Sequence, residues 1–154
     1  MLLRDSVGIL SNIIVADRNE ASAINAAGGS HLKRWPCLES KGIDQVKLGT
    51  LSQILNNRPI DDVNTVAAFM VDAMLDKRSD EGPWVFLVPE QLQSALASLD
   101  EEAQDSVAEK WAATEEFILD RWQPADVEEY LKDLVAHARK SRAAGKSLLL
   151  WMSL

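Results

Sequence analysis

The sequence predicts an α+β fold: one domain spanning residues 1–154, with a small sheet of three or four strands covered by amphipathic helices. Three observations carry this reading. Apolar runs with strand character occur near the start, the middle and the end of the chain, at 9–16, 84–88 and 147–154. Between them, apolar residues return every three or four positions, the period of a helix with one buried face. No repeat, low-complexity tract or linker interrupts the order strand, helices, strand, helices, strand.

The first strand, 9–16, is rich in Ile and Val and shows no helical stripe. The apolar run that contains it, 7–16, lacks a basic leader and includes Ser11 and Asn12, so it reads as core and not as a secretion signal. Asp17 and Glu20 have the spacing of a capping box. They open a short helix over 20–27 that stops at Gly28-Gly29. Residues 30–42, interrupted by Pro36, read as irregular. Asp44 caps a helix over 45–56 whose inner positions are Val46, Leu48, Leu51, Ile54 and Leu55. Asn57-Arg58-Pro59 ends it. Asp61 or Asp62 starts another helix, with Val63, Val66, Ala67, Met70, Ala73 and Met74 on one stripe.

The run 84–88 is apolar at every position, as in a central strand covered on both faces. Pro89 suits the first turn of the next helix, whose inner face is Leu92, Ala95, Leu96 and Leu99. Two acidic helices follow. The first carries Ala103, Val107, Trp111, Thr114, Ile118 and Trp122 on one stripe and Glu101, Asp105, Glu109, Glu116 and Asp120 on another. Asp105 lies about 200° around the axis from Val107, so the stripes oppose each other. Pro124 opens the second, with Val127, Tyr130, Leu131, Leu134, Val135 and Ala138 inward. Arg139, Lys140 and Arg142 suit the negative end of its dipole, and Gly145 is its stop. A packed strand over 147–154 closes the chain.

The charge of the chain is local. Residues 100–133 hold twelve acids against three bases, a net of −9, whereas the remainder nets +1. A field of this kind selects partners. The isoelectric point near 4.7 argues against a binder of nucleic acid, which needs a basic stripe, and against docking on anionic membrane. No stretch reaches the ~18 apolar residues of a membrane span. Cys37 is the single cysteine, so no intrachain disulfide forms, which fits a reducing compartment, most simply the cytosol.

The second half resembles a known group. The step Leu87-Val88-Pro89-Glu90 carries a strand into a helix. The stretch Ala144-Gly145-Lys146-Ser147-Leu148-Leu149-Leu150-Trp151 carries a helix through a Gly-Lys step into an apolar strand. Over 82–154 this grammar is similar to that of the YfbM-like small bacterial proteins of unknown function. The resemblance implies an α+β bacterial protein and no activity. The Trp35-Pro36-Cys37 region and the long acidic helix lie outside the pattern.

Four sets of residues could carry chemistry. Within the stretch from His31 to Glu39, Cys37, His31 and Glu39 are the parts of a thiol nucleophile, a base and an orienting carboxylate, with Lys33 and Arg34 placed to lower the thiol pKa. The competing reading makes Cys37 a small buried hydrophobe. Glu115 falls about 40° from Trp111, at the border of the apolar stripe, where a carboxylate can do acid–base work or merely snorkel. Trp35 beside Arg34 has the composition of an interface hot spot, while the other four tryptophans fall on core positions. Asp72 and Asp76, with Asp61 and Asp62, offer oxygen ligands or else a solvated helix face. With two histidines and one cysteine, a Cys/His zinc site within one chain is excluded, and no cofactor is expected. Gly-rich phosphate loops, a Gly-x-Ser-x-Gly elbow and HExxH are all missing.

Two functions follow. The first is a non-catalytic interaction module of the cytosol whose acidic helical face, Glu101, Asp105, Glu109, Glu116 and Asp120, meets a basic protein partner. The second is a small enzyme with a cleft formed by Arg34, Trp35, Cys37 and Glu115 near the His31–Glu39 stretch.

Overall fold

The computed structural model describes residues 9–56 and 73–154. Among these residues the sheet has five strands: β1 (Leu10–Ala16), β2 (Cys37–Lys41), β3 (Met74–Lys77), β4 (Trp84–Leu87) and β5 (Ser147–Ser153), in the order β2-β1-β5-β4-β3. Every pairing is antiparallel. Helices α1 (Ala21–Ala26), α2 (Gln45–Leu55), α3 (Glu90–Ala97), α4 (Glu101–Ala112), α5 (Glu115–Leu119) and α6 (Pro124–Ala144) complete the described fold, with 3-10 turns at Arg18–Glu20 and Gly28–Lys33. The α+β class stands, with more strands than the three or four expected.

The two unforeseen strands are β2 and β3, and each has a local reason for being missed. The β2 sequence, CLESK, carries three polar residues, and only its pairing with β1 makes it a strand. Met74 belongs to β3 and not to a helix stripe, and Asp76 pairs across the β3–β4 hairpin. Asp76 is therefore not on a helix, and it accepts from Asn25 Nδ2 at 2.8 Å. The expected helix start at Asp61 or Asp62, and Asp72 with it, lie outside the described residues.

The C-terminal strand is the centre of the sheet. β5 lies between β1 and β4 and buries Leu148 to Met152. β4 is covered on both faces as its composition requires, but it lies second from an edge. Side-chain alternation splits the core in two. Ile13, Val15, Phe86, Leu148 and Leu150 face the long helices, where Leu48, Leu51, Leu92, Leu96, Trp111, Phe117, Leu131 and Leu134 meet them. Ile14, Ala16, Val85, Leu149 and Trp151 face the other way, onto Ala21 and Ile24. Among the described residues that second layer is thin, because α1 has only six residues and lies over β3 and β4.

Helix α6 matches its sequence pattern. Val127, Tyr130, Leu131, Leu134, Val135 and Ala138 are all buried, Pro124 sits in the first turn, and Gly145 ends the helix at φ 68°. Its last basic residues serve a neighbour: Arg139 Nε donates to the Ala97 carbonyl at 3.1 Å, and Arg142 Nη2 donates to the same carbonyl at 3.4 Å. They satisfy the end of α3, whose carbonyls have no partner within the helix.

The first acidic helix is not continuous. It breaks at Ala113-Thr114, where Thr114 takes extended backbone angles and its hydroxyl donates to the Trp111 carbonyl at 2.7 Å. The break resets the helical phase. Phe117 is fully buried and Ile118 is 62% exposed, the reverse of the single-stripe expectation.

Candidate functional site

The predicted acidic face divides in three. Glu101, Asp105 and Glu109 stand exposed on α4, on the flank beside Gln104, Ala108 and Trp111, which are buried. Glu116, in the first turn of α5, turns partly inward, and its buried Oε1 has no hydrogen-bond partner. Asp120 is an internal partner: its Oδ2 accepts from Lys47 Nζ. Glu115 is exposed and does not sit at the edge of the core, because the break at Thr114 turns it outward.

Lys47 escaped the sequence reading. Its side chain is 3% exposed, donates to the Gly42 carbonyl at 2.6 Å and lies 5.4 Å from the centre of the Phe117 ring. Its own carbonyl accepts from Trp111 Nε1 at 2.9 Å. One signal was present. Lys47 is the only charged residue from 45 to 56, and a helix with so little charge is enclosed on most sides.

Between α4 and the start of α6 lies a groove of about 480 Å³. Ala108, Ala112, Ala113 and Pro124 line it, with Asp105, Glu109 and Glu128. Further along the chain, α5 presents Ile118 and Leu119, 62% and 63% exposed, beside Glu115, Glu116 and Asp120. Large apolar side chains set among carboxylates have the composition of an interface core with a charged rim.

The His31–Glu39 stretch contributes to a second concavity, of about 290 Å³, on the face of the sheet that α1 packs against. Asn12, His31, Glu39, Lys41 and Trp151 line it. His31 is fully buried, with its ring centre 4.5 Å from that of Trp151. Both ring nitrogens are engaged: Nε2 meets Asn12 Nδ2 at 2.8 Å, and Nδ1 meets the Gly28 carbonyl. A carbonyl only accepts, so the proton lies on Nδ1, and Nε2 accepts from the asparagine amide.

Arg34, Trp35, Cys37 and Glu115 do not converge. The Cys37 thiol points to the Trp35 carbonyl at 3.2 Å, and the residue packs against the buried layer that holds Ile14, Ala16 and Ile24. Burial, with the Glu39 carboxylate adding to it, pushes the thiol pKa up to about 11, so Lys33 and Arg34 do not activate it. Arg34 lies instead over the Trp35 ring at 4.6 Å. Trp35 is half-buried, and its Nε1 donates to Glu20 Oε2 at 3.1 Å, so Trp35 is a structural brace more than a free anchor. Both His31 ring nitrogens are engaged elsewhere, so His31 does not serve Cys37 as a base.

Among the described residues, no three His, Cys, Asp or Glu side chains gather closely enough to hold a metal ion, and no helix is long and apolar enough to cross a membrane. Comparison with protein-family models, curated proteins and solved structures finds no match to this chain.

Proposed function

We propose that this chain is a non-catalytic interaction module that receives a basic protein partner on the acidic face built by α4, α5 and the start of α6. The observation that carries this reading is the exposure of Ile118 and Leu119 among the acids of α5, next in sequence to the apolar-floored groove of α4. Acids alone explain solubility. Acids around exposed large apolar side chains supply both parts of an interface, long-range steering and a surface to desolvate. The net charge of −9 over 100–133 provides the steering field. The unpaired Cys37 supports a cytosolic setting, and a bacterial origin rests on the resemblance of residues 82–154 alone.

The test is affinity capture with the wild-type chain, followed by kinetics on the captured partner. A basic partner is expected. Replacing Glu101, Asp105 and Glu109 by Gln should slow association several-fold at low salt and flatten its salt dependence. Replacing Ile118 by Ser should speed dissociation. Unchanged rates in both variants would assign the face to solvation and overturn the reading.

A further inference from the structure

Strand β2 ends the sheet, and its outer edge has no paired strand among the described residues. The Val15 amide donates to the Pro36 carbonyl at 3.0 Å, and the Gly42 amide donates to the Ile9 carbonyl at 2.7 Å. With Ile13 opposite Leu38 and Ser11 opposite Ser40, antiparallel alternation turns the backbone groups of Leu38 and Ser40 toward β1. It turns the N–H and C=O of Cys37, Glu39 and Lys41 outward.

Both faces beside this edge are hollow. On the helical side, a groove of about 360 Å³ lies between residues 38–41 of β2, Glu39 and Lys41 included, and Trp122, Tyr130 and three acids of α6, Asp126, Glu129 and Asp133. Their spacing puts the acids on one stripe of the helix. All three are exposed and none is in an ion pair among the described residues. On the opposite side, Glu39 and Lys41 border the cavity walled by His31 and Trp151.

We infer that the β2 edge takes an extended segment of a partner protein as an added antiparallel strand, with basic side chains at alternate positions directed into the Asp126, Glu129 and Asp133 groove and small apolar ones into the His31–Trp151 cavity. This deepens the interaction reading and rests on it. In strand addition, backbone hydrogen bonds supply affinity, and pockets for alternate side chains supply selectivity. These three carboxylates, of which Asp126 also accepts from the Gln123 amide at 3.1 Å, lie beside the Trp122 and Tyr130 rings and suit lysine or arginine, whose stems lie on aromatic surface while the charge meets an acid. A second copy of the chain is disfavoured, because two copies each carry −8, and pairing centred on Glu39 brings like carboxylates together.

Register makes the inference specific. In an antiparallel pair, residues opposite each other share a face. The incoming residues that bond to Glu39 are therefore those whose side chains enter the His31–Trp151 cavity. The probe is acetyl-Lys-Val-Lys-Val-Lys-Val-amide, titrated into the isotope-labelled full chain at low salt. Amide exchange at Glu39 and at the outward neighbours it pairs beside, Cys37 and Lys41, should slow by about tenfold, a measure of site occupancy, while Leu38 and Ser40 stay unchanged. N-methylation of the valine amides should abolish binding, and N-methylation of the lysine amides should leave it intact. Replacing Asp126, Glu129 and Asp133 by Asn, Gln and Asn, all exposed positions, should weaken binding about tenfold.

Equal effects of the two methylated peptides, or binding without protection at Glu39, overturn the strand-addition model. Binding that maps to Asp105 and Glu109 overturns it too, while leaving the acidic face as the docking site. A peptide that binds nowhere also overturns it, and the interaction reading is then judged separately by capture with the Glu101, Asp105 and Glu109 variants. Protection at Glu39 that rises with protein concentration and no peptide identifies a second copy as the occupant and overturns the basic-segment assignment.

Discussion

Asn12 and His31, nineteen residues apart, are joined side chain to side chain at 2.8 Å beneath the Trp151 ring. The contact fixes the ring of the one buried histidine and builds the wall of the cavity beside β2. It also removes His31 from the roles a free imidazole could play.

The tautomer is directly observable. Long-range proton–nitrogen correlation should place the His31 proton on Nδ1; a proton on Nε2 would mean that Asn12 presents its carbonyl instead. Asn12→Ala should destabilise the fold by about 1–3 kcal/mol in urea denaturation, because it strands a buried ring nitrogen.

Cys37 should alkylate more slowly with iodoacetamide than a free thiol at neutral pH, and its rate should climb until the pH nears 11. Fast labelling at pH 7 would restore the nucleophile. The same shift fixes an alkaline limb of stability. The thiol pKa rises from 9.0 to about 11 on folding, and burial also pushes the Tyr130 phenol up. Stability from both groups is complete below pH 9 and is lost as the pH rises past it. Cys37→Ala should remove the earlier part of that loss.

Lys47 and Asp120 hold α2 to the end of α5. Asp120→Asn leaves an ammonium that is 3% exposed with only neutral partners among the described residues, the Gly42 carbonyl, the Phe117 ring and the new amide. Because Asp120 itself is 45% exposed, the cost should fall below that of a fully buried pair, at about 1–3 kcal/mol. Lys47→Met should cost less than Asp120→Asn, since it removes the buried charge altogether. The reverse order in urea titrations would show that the pair is not what holds these helices. Asp120 is therefore a poor choice for testing the acidic face, because its loss mixes stability with binding.

Phe117 and Ile118 are neighbours with opposite fates. Phe117→Ala should cost about 3–5 kcal/mol, because it empties a site packed 4.9 Å from Trp111 and 5.0 Å from Trp122. Ile118→Ser should fall within about 0.5 kcal/mol of wild type in thermal melts. A large loss for Ile118→Ser would mean that this side chain is buried after all.

The elements that were legible share one property: their signal lies within a few residues. The inner face of α6 repeats at the helical period, Gly145 follows at the point where a left-handed residue is needed, and Asp44 accepts from the Lys47 amide at 2.9 Å as a cap should. The candidate site was harder. His31 and Glu39 were singled out and do border a cavity, but the residues that complete it, Asn12 and Trp151, come from β1 and β5. Composition showed an acidic zone without showing that Asp120 is committed inward or that Ile118 turns out.

By itself, the sequence determined the α+β class, the three apolar strands, the long amphipathic α6 and the concentration of acids in one window, because period, caps and charge are local quantities. Tertiary structure alone decided that the last strand is central, that CLESK is an edge strand, that a lysine is buried and that the acidic helix breaks. Each of these depends on which distant segment arrives beside it: β5 pairs Leu148 with Val15, and Lys47 meets Asp120, across spans of chain that leave no periodic mark. The energy of such contacts comes from surfaces buried together, and neither surface announces its partner.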